Sequence, residues 1–219
     1  MIHWLLQDGR RHRTVPDLLD AFLPRLRDQI PVDRLWVGTT VLHPQAAAYA
    51  WVWAVDADQV TQLAFTREDM AQFDHLDTPM GRFKRGEADH IWLSHGGGDG
   101  MVDVRQLWSQ GYQGYLAEPL FLRGAWAGGF TFATRHPGGL SEEQVAVLRS
   151  LVPALSAVIE PMTRDAMYST LLRTYLGADA GQRVAHGQVR RGDGKAMAAA
   201  IWFSDVRGFT TISEGLGPR

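Results

Sequence analysis

The chain has 219 residues, of which 45% are hydrophobic and 21% charged, an ordinary globular composition rather than that of a disordered segment. A formal net charge of -2 offers no basic field for nucleic acid or an anionic membrane surface. With no cysteine, disulfides, thiolate metal sites, iron–sulfur clusters and thioether-linked chromophores are excluded together.

Asparagine is also absent, and lysine occurs only as Lys84 and Lys195. Apolar runs such as Ala46–Val55 are too short to span a bilayer, and Met1–Arg13 is polar, without the apolar core of a signal peptide. A cytoplasmic protein is expected.

In chain order, the first marked element is a helix over Val15–Gln29. Thr14 is placed to cap it, Pro16 suits its first turn, and Leu18, Leu19, Phe22, Leu23 and Leu26 form an apolar stripe. Pro31 stops it. Two strand-like runs follow, Asp33–Leu42 and Ala47–Val55, separated by His43–Pro44. Tyr49, Trp51 and Trp53 share one face of the second run, because strand side chains alternate. From Arg67 to Tyr112 no period is sustained, which predicts short helices and loops with a brief strand near His90–Leu93.

Order returns with the strand-like runs Gly114–Leu122 and Ala125–Thr134, joined by Arg123–Gly124. After Pro137–Gly139, Ser141 and Gln144 form a capping-box pair ahead of a helix. Val145, Leu148, Leu151, Leu155, Val158 and Met162 continue that helix at three- and four-residue steps. Pro153 and Pro161 each remove a helical hydrogen bond and predict a kink or two abutting helices. A further series, Met167 to Leu176, ends at Gly177, a C-cap candidate. Ala178–Arg183 reads as a connector, Arg190–Lys195 as a charged turn and Ala196–Ser204 as a buried strand that ends at Asp205.

The stretch Phe203–Ser204–Asp205–Val206–Arg207–Gly208–Phe209–Thr210 resembles the F-x-D-x-x-G-F-T signature of class III adenylate and guanylate cyclases, with all specified positions matched. Five fixed residue types arise by chance in roughly one chain in ten thousand of this length. Leu171–Gly177 and Gln188–Gly194 also resemble the helix and linker that precede the catalytic domain in bacterial cyclases. The resemblance implies conversion of ATP to cyclic AMP and pyrophosphate by two-metal catalysis with Mg2+ or Mn2+. By it, Asp205 and the carbonyl of Val206 bind metal, while Gly208, Phe209 and Thr210 face the triphosphate. The second metal aspartate, the base-selecting pair and the transition-state asparagine of the family are not in this sequence. The chain alone is therefore expected to be inactive, and ATP and GTP are not distinguished.

Leu116–Leu122, Gly128–Ala133 and Pro137–Leu151 resemble the closing half of a GAF domain, where a glycine-linked strand pair leads through a proline to a long helix. This resemblance implies an α+β fold, a GAF-like antiparallel sheet with flanking helices, often with a small-molecule pocket and dimerising terminal helices. The absence of asparagine does not fit the motif of cyclic-nucleotide-binding members, and the absence of cysteine excludes a thioether-anchored bilin. His75, His90 and His95 show no haem-ligand spacing. Tyr49, Trp51, Trp53, Trp92, Trp108 and Trp126 are candidates for a sensor pocket, against the commoner alternative that they form the sheet's core. Gly96–Gly100 reads as a loop, and Gly192–Lys195 lacks the spacing of a phosphate-binding loop.

The division expected is a GAF-like sensory domain over 1–160, a signalling helix and connector over 161–186, and the start of a class III cyclase domain over 187–219. A homodimer through the 141–176 helical region is expected. One alternative is a stand-alone GAF-like ligand-binding or dimerisation module without enzyme activity. Another is a different metal-dependent phosphotransfer enzyme using Asp193 beside Asp205.

Overall fold

Thr14 does cap its helix: its Oγ1 accepts a hydrogen bond from the Asp17 amide at 3.3 Å, and Pro16 occupies the first turn. This is α2 (Val15–Arg27), preceded by α1 (Ile2–Gln7) and a short 3-10 turn at Gly9–Arg11. In chain order there follow β1 (Arg34–Thr40), β2 (Ala48–Ala54), β3 (Thr61–Phe65), α3 (Arg67–Phe73), α4 (Pro79–Lys84), β4 (Ile91–Ser94) and α5 (Val102–Ser109). The series ends with β5 (Gly114–Leu122), β6 (Ala125–Thr134), α6 (Glu142–Leu176), α7 (Ala178–Ala185) and α8 (Phe209–Gly215). The computed structural model describes all residues except Asp58, Asp74, Asp99, Arg123, Arg191, Asp193, Lys195, Met197, Val206 and 216–219, and at Thr211 the backbone only. Of the expected features, Arg123, half of the 190–195 turn (Arg191, Asp193 and Lys195) and the Val206 metal ligand lie outside the described residues.

The six strands form one antiparallel sheet in the order β3-β2-β1-β6-β5-β4. With its flanking helices this is the α+β architecture expected. Alternation sorts the side chains of the two central strands. Leu35 and Val37 of β1 sit opposite Phe132 and Phe130 of β6, and all four are fully buried in the larger core beneath α2 and α6. Their neighbours Arg34, Trp36 and Gly38 face the opposite way, where α3, α4 and α5 cover the sheet. A smaller core cluster of Phe83, Ile91, Met101, Val104, Tyr112 and Tyr115, among others, lies on that second side.

Helix α6 is held by the Ser141–Gln144 capping box and buries Leu148, Leu151, Leu155, Val158 and Ile159 against the sheet and α2. Each such side chain is worth about 1.5–3 kcal/mol on burial. Pro153 and Pro161 lie inside one continuous helix of 35 residues, not at the joint of two abutting helices. The apolar burial of its first five turns outweighs the two missing backbone bonds. By length and composition α6 also passes for a membrane span, but half of its apolar window is buried inside this fold.

Three segments differ from expectation. Met1–Arg13 is not merely a polar lead: Leu5 is fully buried in the core, and the Trp4 ring stacks on Phe22 at 6.2 Å. The expected connector Ala178–Arg183 is the helix α7, folded back on α6. Gly181 allows that approach, since a Cβ there would lie 2.6 Å from the Leu172 carbonyl carbon. Thr61–Phe65, unmarked in the sequence, is an edge strand with a mostly exposed face.

Leu148→Ala should lower the unfolding free energy by about 2–5 kcal/mol. Its exposed neighbour Val147→Ala should stay within about 0.5 kcal/mol. Urea denaturation of the two variants beside the wild type measures this difference.

Candidate ligand-binding site

The start of β1 is pinned across the sheet. Asp33 Oδ2 accepts from the Arg135 amide at 2.7 Å and from Thr134 Oγ1 at 3.4 Å. The next residue, Arg34, opens a row with Trp36, Gly38 and Thr40 that lines a cavity of about 410 Å³. That volume lies in the range of small-molecule sites, about 300–1,000 Å³.

The floor depends on glycine. The Trp36 indole lies over Gly38, where a Cβ would come within 2.2 Å of the ring. Gly129 admits the Met80 sulfur in the same way, its Cβ position lying 2.7 Å from Sδ. Gly128 adopts φ +147°, and a Cβ there would lie 2.0 Å from the Gly38 carbonyl oxygen. A side chain at any of the three would fill or distort the space above the sheet.

The walls are apolar and the far side polar. Leu63 and Phe65 of β3, Met70 and Phe73 of α3, and Trp126 of β6 supply apolar surface. The Trp126 Nε1–H is buried and meets no acceptor among the described residues. From α5, Asp103, Gln106 and Gln110 reach the cavity at three- and four-residue steps while Leu107 packs inward. Deeper, Tyr115 is hydrogen-bonded to Thr131 and its burial drives the phenol far above the ordinary range.

Three charged side chains line this cavity, Arg34, Asp103 and Lys84. Burial lowers the pKa of Arg34, with Tyr112, Tyr115 and Asp103 acting against that shift. Burial raises the pKa of Asp103, against the opposing charge of Arg34. The surface of Asp103 is open to the cavity's solvent, yet protein atoms crowd round its carboxylate, and the crowding dominates. Arg34 and Asp103 each sense the other, but among the described residues neither makes an ion pair.

On the other face of the sheet Glu118 is buried beside α6, and Arg149 Nε of that helix lies 2.7 Å from Glu118 Oε1. Burial raises the carboxyl pKa and the Arg149 charge opposes it.

Of the six aromatic residues that were candidates for a pocket or for the sheet's core, Trp126 lines the cavity, and Tyr49 both borders it and packs against the main core. Trp51 is buried in that core and Trp53 packs on it, because alternation turns both away from the cavity. Trp92 on β4 is exposed. Trp108 packs on the smaller cluster and donates from Nε1 to the Gly97 carbonyl at 2.8 Å. Sequence reasoning missed Arg34, Trp36 and Asp103. The period-two row Arg34–Trp36–Gly38–Thr40 and the helical spacing Asp103–Gln106–Gln110 were the available signals.

The cyclase-like motif lies far from this cavity in sequence, and its surroundings differ from those expected. The described residues of 196–204 form no strand and are exposed, with Ile201, Trp202 and Phe203 at 77%, 87% and 89% of full exposure. A buried strand needs neighbouring strands for its backbone groups, and this segment pairs with none of the six. Asp205 and Thr210 are exposed, Gly208 has φ +72°, and Phe209 begins the short helix α8. Among the described residues no group of three histidine, aspartate or glutamate side chains is placed to hold a metal ion. One exposed carboxylate does not fit a two-metal centre, and these residues by themselves do not make one.

No protein-family model matches the chain, and no curated protein sequence does. Among solved structures it is similar to the GAF domain of a two-component sensor histidine kinase from Bacillus halodurans, with 12% identity over 68% of this chain and 96% of that one and a TM-score of 0.49. It is similar to the GAF domain of a phosphoenolpyruvate-protein phosphotransferase from Coxiella burnetii, with 15% identity, 75% and 94% coverage and a TM-score of 0.49. Free methionine-R-sulfoxide reductase from Neisseria meningitidis is a third, with 13% identity, 75% and 89% coverage and a TM-score of 0.49. Likenesses this remote carry no ligand or residue role across.

A pH test follows from Asp103. Its folded pKa is raised, so the folded chain holds this proton more tightly than the unfolded one, and the contribution is lost as pH rises through the folded pKa. Asp103→Asn keeps a neutral group there at every pH. The variant should therefore be at least as stable as wild type at pH 7, and its advantage should vanish as pH falls below the ordinary carboxylate range. Thermal unfolding of both proteins between about pH 2.5 and pH 7, in steps of about half a unit around the ordinary carboxylate pKa, reads this out.

Proposed function

We propose that the chain is the regulatory part of a class III nucleotidyl cyclase, adenylate rather than guanylate by the commoner choice. In this reading residues 1–160 are a GAF-like sensory domain, 161–186 relay its state, and 187–219 open the catalytic domain. The observation that carries the enzymatic part is the run Phe203 to Thr210, matched at all specified positions. The sensory part is supported by the cavity, with half-buried Arg34 and the unpartnered Trp126 indole N–H on its lining. The chain alone lacks most of the catalytic residues and should make no cyclic nucleotide.

The relay has a physical route. Trp36 and Thr131 face the cavity, while Val37 and Phe132, one residue along on the same strands, pack beneath α2 and α6. A ligand that moves Trp36 acts on strands that α6 rests on. Beyond its buried half, α6 carries Tyr168, Tyr175 and Leu176 exposed, surface suited to a homodimer through 141–176.

The second reading is a stand-alone GAF-like module without enzyme activity. It is favoured by the described residues of 196–204, which are exposed and pair with no strand of the sheet.

Cyclic nucleotide formation by the complete natural protein decides between them. Under the cyclase reading, ATP with Mg2+ or Mn2+ yields cyclic AMP, or GTP yields cyclic GMP. Asp205→Ala should then lower kcat at least about 100-fold, several kcal/mol of lost transition-state stabilisation. No product from either nucleotide, with the protein folded, would leave the stand-alone module.

A further inference from the structure

We propose that the cavity binds an uncharged, flat molecule of fused aromatic rings that carries a hydrogen-bond acceptor. Its ring plane would stack on the Trp36 indole, and its acceptor would take the Trp126 Nε1–H. This rests on reading the cavity as the sensor pocket and names the chemistry it takes.

The shape follows from how Trp36 lies. The Cβ position of Gly38 is 2.2, 2.6 and 2.9 Å from the Trp36 ring atoms Cη2, Cζ2 and Cζ3. A point beyond the ring's edge at Cη2 would stand farther from the two flanking atoms, so the indole turns a face to Gly38. The ring is laid along the sheet, and its second face looks away from it into the cavity that Trp36 lines. An aromatic face gains more from an offset flat ring than from the same area of aliphatic surface. Beside it Gly129, paired with Gly38 across the sheet, admits the Met80 sulfur, a soft partner for ring edges. Phe65, Phe73 and Trp126 complete the aromatic lining.

The lack of charge follows from where the polar groups stand. The buried polar side chains on the lining are already hydrogen-bonded within the protein. Thr39 Oγ1 donates to the Thr40 carbonyl at 3.3 Å, Thr78 Oγ1 accepts from the Gly81 amide at 3.0 Å, and Tyr115 is bonded to Thr131. The charged lining residues have both signs; Lys84 and Asp103 are exposed and Arg34 is half-buried. An ion entering the apolar interior would lose its hydration with no fully buried counter-ion among the described residues to replace it.

One donor is left over. The Trp126 Nε1–H is buried without an acceptor among the described residues, and a ligand oxygen or ring nitrogen would relieve it. A cavity of about 150 Å³ holds benzene, so one of about 410 Å³ has room for fused rings.

Calorimetry and thermal shift on the whole 219-residue chain test the proposal. The probes are coumarin, its ring-saturated octahydro form, naphthalene, and coumarin bearing a carboxylate or a trimethylammonium group. Coumarin should bind at least about tenfold more tightly than the saturated form and than either charged form. Trp36→Leu should erase the preference for coumarin over its saturated form. Trp126→Phe should lower the ratio of coumarin to naphthalene affinity about tenfold, since only coumarin carries an acceptor. Each comparison is made within one variant, so partial loss of folded protein cancels.

A saturated or charged form that binds as tightly as coumarin overturns the proposal. So does a preference that survives Trp36→Leu or a ratio unchanged in Trp126→Phe. Protein purified from its own cells gives a further readout by mass spectrometry. A neutral fused-ring compound retained there supports the proposal, and an aliphatic or charged one overturns it, although the sensory reading then stands. If no probe binds and nothing is retained, both the aromatic ligand and the sensory reading fall.

Discussion

The central pair β1–β6 has to serve two incompatible environments, and alternation along the strands is what allows it. Leu35 and Val37 of one strand and Phe130 and Phe132 of the other close the core under α2 and α6. The residues between them, Arg34, Trp36, Gly38, Gly129 and Thr131, belong to the cavity side. A slip of one residue would put a guanidinium in the core and two phenylalanines in the cavity, so the register is fixed by the cost of that exchange. Every other feature rests on this pairing. The Asp33 clamp sets its start, and the close approach of Gly128 to Gly38 lets the backbones meet where a side chain would intervene.

That arrangement makes the sheet a thin mechanical plate. On one side it carries under-satisfied polar groups, on the other a helix 35 residues long. Glu118 and Arg149 tie β5 to α6 with a charge pair held partly out of water, where its attraction is strong and its desolvation expensive. In the proposed relay, a shift of Trp36 would reach α6 through the strands between them. Protein interiors are close-packed and resist continuous deformation, so such changes tend to occur as discrete repackings.

How much of this was legible before the structure depended on which force shapes each segment. Strands β1, β2, β5 and β6 and helices α2 and α6 carry large apolar contrasts, and their bounds were read to within two residues except where α2 and α6 were concerned with fraying or proline. In α6 the two prolines argued for a break, but a stripe from Val145 to Ile159 buried against the sheet outweighs two missing hydrogen bonds. Strand β3 was invisible because an exposed edge strand has no alternation to show. Helix α5 was hidden for the opposite reason: its Asp103, Gln106 and Gln110 serve the cavity and interrupt the apolar period. Ala178–Arg183 read as a connector, whereas it begins helix α7, and the missing side chain of Gly181 is what lets that helix pack on Leu172.

The cavity itself was legible only in fragments, and the reason is topological. Arg34 and Asp103 lie far apart in the sequence, on β1 and α5, and no local pattern links them. Aromatic richness pointed to a pocket, but aromatic side chains are equally at home in a core, and alternation sends Trp51 and Trp53 there. What distinguishes pocket from core is therefore not the aromatic residues but the polar groups left without partners among them. A core tolerates few such groups because each is costly without a hydrogen bond or counter-charge. Where a half-buried guanidinium and an unpartnered indole N–H face one space, stability is given up locally, and a bound molecule would restore it.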